Sequence, residues 1–265
     1  MISLFSSPVL SKENLQERIF KLTLFSPLVS KKARPGSFIH LKVGSDHFPL
    51  LRRAFSIHDV NVEQKSFDIL FKVVGTGTDL LSKVAPGDTL SILGPIGNSF
   101  ALPPKGKEIV LVAGGMGVAP LWFFLKRLKS RFRPERLTFF LGARTKKELL
   151  YVEKIRSAKV RLTITTDDGS LGRRGRVTEV FDQGLSKRNL YHRNLAVYSC
   201  GPHMMLRRMS EIAKTHDLFC QVSLETHMPC GVGACWGCVV RLTDGTYQRV
   251  CVDGPVFDAR EVDLG

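Results

Sequence analysis

The chain has 265 residues, too many for one small core and suited to two compact domains with a short appendage. Hydrophobic residues at 43% and charged residues at 24% exclude a disordered chain. The net charge of +15 raises the question of nucleic-acid binding, but residues 217–265 carry seven acids against three arginines, so the basic character is confined to the rest of the chain.

Residues 1–102 read as β-rich. The runs IFKLTLF, SFIHLKV and FDILFKVV, separated by turn-rich pieces such as KKARPG and APGD, predict a small antiparallel β-barrel. The opening stretch MISLFSSPVLSKENLQERIF lacks a basic region followed by an apolar block, so no signal peptide is expected. Two motifs in this half bear on binding. In Arg53-Ala54-Phe55-Ser56 the arginine can clamp a diphosphate, the aromatic ring can cover a flavin face, and the hydroxyl can reach the ring edge. Gly75-Thr76-Gly77-Thr78, placed before DLLS, can open a helix whose N–H groups meet phosphate, or can simply be a turn.

Residues 103–222 change rhythm. IVLVAGG, LTFFLGA, VRLTITTDD and LAVYSCG read as buried strands followed by the helices LWFFLKRLKSR, KKELLYVEKIR and PHMMLRRMSEIAKTH. That alternation predicts a parallel sheet with its ligand site at the carboxyl ends of the strands. The apolar stretch at 109–125 is broken by three glycines and a proline and is short of the roughly 20 residues that span a bilayer. Gly114, Gly115 and Gly117 stand between strand and helix, where a diphosphate can approach or where a turn merely packs tightly. Asp168, in Asp167-Asp168-Gly169-Ser170, is a ribose contact or a turn residue. KRLKSRFRPER reads as a solvated helix face, or as a surface for an acidic partner or anionic cofactor. Arg144, Lys146 and Lys147 could meet a 2′-phosphate, although basic residues after a strand are common.

Residues 223–265 form a third, short unit with four cysteines spaced Cys230-x4-Cys235-x2-Cys238-x12-Cys251. This is the spacing with which four thiolates hold a 2Fe-2S cluster. Gly231, Gly233 and Gly237 among the close cysteines let the backbone take positive φ and aim amides at anionic sulfur. A zinc knuckle is the alternative, yet only one Cys-x2-Cys pair is present. His227 is read as a loop residue and Cys220 as a core residue. Six cysteines in a chain without a leader point to a reducing, cytoplasmic setting.

Taken together, Arg-x-aromatic-Ser, GTGT, LGPIGNSF, VAGGMGVAPL and CGP resemble the ferredoxin reductase family, with an FAD-binding barrel ahead of a nicotinamide nucleotide domain. The tail SLETHMPCGVGACWGCVV with VCVDGPVF resembles the electron-transfer subunits of class 1B dihydroorotate dehydrogenases. One departure is Ala54, where the family often has proline.

The resemblance implies FAD on Arg53, Phe55, Ser56 and Gly75 to Thr78. It implies NAD(H), favoured over NADPH, on Gly114, Gly115, Gly117, Asp168, Cys200 and Gly201, with Cys200 near the nicotinamide as a shape-filling neighbour rather than a reagent. It also implies a partner, the FMN-containing dihydroorotate dehydrogenase catalytic subunit, in a heterotetramer that makes orotate with NAD. Neither nucleic acid nor a membrane span is expected. The runner-up is the small subunit of a sulfide dehydrogenase or of an NADH-dependent ferredoxin:NADP oxidoreductase, in which aspartate can replace a cluster cysteine. A basic zinc-dependent nucleic-acid-binding protein is the alternative from another class.

Overall fold

The computed structural model describes residues 2–44, 48–186 and 194–265. Six antiparallel strands come first: β1 (Ser3–Gln16), β2 (Ile19–Phe25), β3 (Phe38–Leu41), β4 (Arg53–Asn61), β5 (Ser66–Lys72) and β6 (Thr89–Ile96). They close into a barrel in the order β1-β2-β5-β4-β3-β6. β1 makes the closure. Its first half pairs with β6 and its second half with β2, with register shifts after Val9 and Asn14. A bulge bends and twists a strand, which lets one strand serve two neighbours around the seam. Leu22, Leu24, Ile39, Leu41, Ile57, Ile69 and Ile92 fill the interior and are all fully buried. Two helices belong to this part: α1 (Pro27–Lys32), capped by the Ser26 hydroxyl, and α2 (Thr76–Lys83).

The second part is a sheet of β7 (Glu108–Gly114), β8 (Leu137–Ala143), β9 (Arg161–Thr166), β10 (Arg173–Arg174), β11 (Leu195–Cys200) and β12 (Phe219–Ser223). These strands are parallel, and the sheet order is β10-β9-β8-β7-β11-β12 followed by one last strand from the cysteine-rich tail. Four helices cover it: α3 (Val118–Lys129), α4 (Val152–Ser157), α5 (Val177–Ser186) and α6 (His203–Thr215). The predicted helix KKELLYVEKIR is broken. Lys146–Glu148 is a 3-10 turn and α4 starts only at Val152. Tyr151 between them takes φ +62°, its ring lying 4.5 Å from that of His58 and 5.4 Å from that of Trp122. Packing against the barrel thus overrides local helix propensity.

In the tail, β13 (Val239–Arg241) and β14 (Tyr247–Arg249) form a hairpin, and β15 (Val256–Asp258) returns to pair antiparallel with β12. The tail therefore completes the nucleotide sheet. Cys238, Val250, Cys251 and Val262 share one core with Met209 and Val222 of the sheet domain. Asn98, just past the barrel, fastens the tail to it: its amide donates to Asp253 O and Val256 O at 2.9 and 2.8 Å and accepts from Val256 N at 2.9 Å.

The barrel also meets α3 directly. Lys126 Nζ lies 2.7 Å from Asp59, and His58 Nδ1 lies 3.0 Å from Ala119 O. A carbonyl only accepts, so Nδ1 carries the proton and the buried Nε2 has no partner among the described residues. Burial lowers the His58 pKa from 6.5 to about 4, with the Ala119 bond and Asp59 opposing. The unfolded chain takes up this proton below pH 6.5 and the folded chain resists it, so the stability due to His58 is complete above 6.5 and declines toward 4. Urea unfolding at pH 7.5 and 4.5 should show the wild type losing about 2.5 kcal/mol more than His58→Leu, at about 1.4 kcal/mol per pKa unit. Equal losses would exclude this account.

Candidate functional site

A cleft of about 790 Å³ opens where the three parts meet. Its size is that of a cofactor pocket. The barrel contributes Arg53, Ala54, Phe55 and Ser56 from β4, and Gly75, Thr76, Gly77 and Thr78 at the start of α2. The opposite wall comes from Met116 and Ala119 after β7, and from the stretch Leu224 to Pro229 after β12. All seven residues assigned to FAD from the sequence therefore face one cavity. The arginine shows why a glycine precedes the second turn of α2. A Cβ on Gly77 would lie 2.5 Å from Arg53 Nε, so only glycine lets the guanidinium rest against the helix start. A helix N-terminus and an arginine aimed at one spot form a cradle for a diphosphate. Arg53 Nη1 also donates to Leu51 O.

The other side chains divide between contact and support. The Phe55 ring packs edge-on against Phe71, with centroids 6.0 Å apart. The Thr78 hydroxyl closes its own turn, accepting from Val74 N and Gly75 N at 2.9 and 3.1 Å and donating to Gly75 O. Thr78 thus shapes the loop, with its hydroxyl already engaged. Glu225 reaches the cleft from the tail side, and the surrounding protein raises its pKa.

The glycines assigned to NAD lie at the carboxyl ends of β7 and β11, the point where successive strands turn to opposite sides of the sheet. Ligands of open α/β sheets bind there. A Cβ on Gly117 would fall 2.0 Å from Cys200 O, and one on Gly201 would fall 3.2 Å from Gly114 Cα. Gly114, Gly117, Cys200 and Gly201 thus form one close-packed junction, whereas Gly115, at φ +52°, has open space around it. Cys200 is fully buried, and burial holds its thiol well above the ordinary range, which agrees with a packing role. Asp168 lies apart on an exposed turn, accepting from Ser170 N and Oγ at 2.9 and 2.6 Å. Arg144 is forked onto Glu148 at 3.1 and 2.7 Å, so a carboxylate already engages one of the three cations, beside Lys146 and Lys147, that could meet a 2′-phosphate.

The cysteines come together as two pairs. The Cys230 and Cys235 thiols are within hydrogen-bonding reach of each other, as are those of Cys238 and Cys251. Among the described residues no three His, Cys, Asp or Glu side chains meet closely enough to hold a single metal ion. Two thiolates for each of two irons is the arrangement of a 2Fe-2S site. Arg249 joins the two arms of the loop, donating to Gly233 O at 3.1 Å while its backbone N–H donates to Asp253 at 2.8 Å. Burial opposes the Cys230 thiolate, but the amides of Val232, Cys235 and Ala234 and the Cys235 thiol outweigh it and bring the pKa down to about 6. Burial and the neighbouring Cys238 push the Cys251 thiol up to about 12. Of the three glycines expected at positive φ, Gly231 and Gly233 take it, at +69° and +81°. Gly237 does not, and serves by close approach: its Cβ would meet the Pro229 ring at 2.9 Å. In iron-free protein at pH 7, iodoacetamide should label Cys230 and Cys235 at least about a hundredfold faster than Cys200 and Cys220, as peptide mass spectrometry would read. Comparable labelling of Cys200 would contradict its burial.

Comparison with known proteins supplies the lineage. Residues 225–263 match the iron-sulfur cluster binding domain of dihydroorotate dehydrogenase B, residues 111–211 an oxidoreductase NAD-binding domain and residues 7–100 an oxidoreductase FAD-binding domain. The electron transfer subunit of dihydroorotate dehydrogenase B (NAD(+)) from Bacillus caldolyticus is 40% identical over 97% of both chains, and that from Desulforamulus reducens 37% over 99% of both. The chain belongs to this family of electron transfer subunits. It is an oxidoreductase subunit with domains for FAD, NAD and an iron-sulfur cluster, and the zinc and nucleic-acid reading is set aside. A structure of the NADH-dependent reduced ferredoxin-NADP oxidoreductase is 33% identical, with TM-score 0.86, covering 97% of this chain and 90% of that one. A ferredoxin NADP+ reductase from Neisseria gonorrhoeae, 18% identical with TM-score 0.68 over 80% of this chain and 91% of that one, shares the fold. No helix among the described residues is long and apolar enough to cross a membrane.

Sequence reasoning missed Met116, Ala119 and Glu225 as cleft residues and Asn98 as the fastener. Glu225 carried one signal, its place immediately before the cysteine motif. Met116 and Ala119 lie within VAGGMGVAPL and Asn98 within LGPIGNSF, so the signal was the motif, while the individual contacts come from tertiary packing.

Proposed function

We propose that this subunit moves electrons between NAD(H), FAD, a 2Fe-2S cluster and an FMN-containing dihydroorotate dehydrogenase catalytic subunit, so that dihydroorotate becomes orotate at the expense of NAD in pyrimidine biosynthesis. The single observation that carries this is the shared cleft, whose walls come from the barrel, the nucleotide sheet and the cysteine-bearing tail. A bound flavin exchanges a hydride with a nicotinamide and passes electrons singly to an iron-sulfur centre. The chain's own residues bind and orient. Arg53 and the helix start at Gly75 to Thr78 hold the diphosphate, while Phe55 and Ser56 flank the ring system. Gly114, Gly115, Gly117, Cys200 and Gly201 let the nicotinamide nucleotide approach the strand ends, and Asp168 turns toward a ribose. Cys230, Cys235, Cys238 and Cys251 hold the irons.

The Arg144–Glu148 fork supports NADH over NADPH. The three units divide at about residues 102 and 222, in keeping with the matched ranges. The assembly is a cytoplasmic heterotetramer with the catalytic subunit. Anaerobic titration of the purified holoprotein with NADH should bleach the flavin and cluster absorption together, and bleaching of neither would reject the scheme. A second reading, the small subunit of an NADH-dependent ferredoxin:NADP oxidoreductase, draws on the 33% identical structure. Identification of the copurifying subunit separates the two.

A further inference from the structure

His40 lies in β3 with alternate neighbours facing different cores. Ile39 and Leu41 point into the barrel, whereas Phe38 joins the core that contains Cys238 and Cys251. Side-chain alternation therefore puts His40 on the tail side of the barrel wall. Its imidazole is completely buried, yet neither ring nitrogen has a hydrogen-bond partner among the described residues. Buried polar groups in native proteins are nearly always paired, so an imidazole left bare on both sides marks a missing neighbour. The direction of that neighbour is given by Gly231, the residue after Cys230. A Cβ there would meet His40 Nδ1 at 2.7 Å and Cε1 at 2.8 Å, so the ring edge abuts the cysteine loop. The Phe38 ring, on the same face of β3, lies 5.9 Å from the imidazole and also lines the flavin cleft. His40 thus adjoins both the cysteine loop and a residue of the cleft wall.

The geometry points to His40 as a positioning residue that donates a ring N–H to inorganic sulfide of the iron-sulfur centre and thereby sets the potential of that centre. No cysteine sulfur among the described residues bonds the ring, so the acceptor is a group that loading the site would bring, and the ring edge against Gly231 points to the cluster's sulfide over the flavin. A donor at sulfur stabilises the more negative, reduced form and raises the potential. The inference rests on the four cysteines holding a cluster, as proposed above.

The test uses the full-length holoprotein with histidine labelled by nitrogen-15, reduced anaerobically and examined by pulsed electron paramagnetic resonance. A nitrogen-15 coupling to the reduced centre is expected in the wild type and in His227→Gln, and its absence from protein with full iron and sulfide overturns the proposal. In His40→Leu the coupling should vanish, and the equilibrium constant for electron transfer from flavin to cluster should drop about tenfold, a shift of about 59 mV. His40→Gln, which keeps a donor, should recover part of that shift. An unchanged potential in fully loaded His40→Leu also overturns the proposal. Wild-type protein that binds no iron and sulfide refutes the cluster reading itself, which analysis of metal and sulfide tells apart from the other failures.

Discussion

Serine in place of Cys238 or Cys251 should abolish iron and sulfide binding while FAD stays in place. Both thiols are buried, at 3% and 1% exposure, and they face each other inside the core shared with the nucleotide sheet. A serine hydroxyl does not ionise as a thiolate does, so it offers the iron a poor ligand. Loss of an outer partner of a metal site already costs 10- to 100-fold, and loss of a ligand should lower electron delivery to the catalytic subunit by more than about a hundredfold. The cleft lining does not include these two residues, so flavin should remain bound and reducible by NADH. Iron and sulfide analysis, the flavin spectrum and reduction of the catalytic subunit check the three parts. Normal iron content in Cys238→Ser would remove that cysteine from the ligand set.

Arg53→Ala should release FAD. Hydrogen bonds to charged groups contribute about 1.5 to 3 kcal/mol each, so loss of a two-pronged clamp should weaken flavin binding by about a hundredfold or more. Arg53→Lys keeps the charge and loses the fork, and should fall between the two. Gly77→Val tests the same contact from the helix side, since its Cβ would sit 2.5 Å from Arg53 Nε. It should lower flavin affinity with the arginine still present. Flavin fluorescence titration of the apoprotein measures all three variants. Wild-type affinity in Arg53→Ala would place the diphosphate elsewhere.

The motifs were legible because each is local. Cys230, Cys235 and Cys238 lie within nine residues, and a loop so short has few ways to arrange three thiols except around a common centre. Gly75 to Thr78 opens α2 as read, because small residues before an amphipathic run leave amides exposed at a helix start. Four of the seven strands of the nucleotide sheet were legible: β7, β8 and β11 from apolar runs, as for strands buried on both faces, and β9 from VRLTITTDD, whereas the short β10 and the strands β12 and β15 were not read. β1 was hidden, since SSPVLSKENLQ holds no apolar alternation and its strand character comes from two different neighbours. The helix around Tyr151 was misread for a similar reason, its break being imposed by His58 and Trp122.

By itself the sequence determined which chemical groups are available: the four thiols, the glycine turns and the arginine with its aromatic and serine neighbours. It also determined the alternation of strand and helix, because periodicity and turn chemistry act over a few residues. Tertiary structure alone decided that Glu225 and Met116 enter the same cleft as Arg53. It alone decided that the tail ends as an edge strand of the nucleotide sheet and that His40 lies buried against Gly231. These depend on contacts between residues far apart in the chain, whose meeting is fixed by how whole cores pack and leaves no periodic trace in either segment.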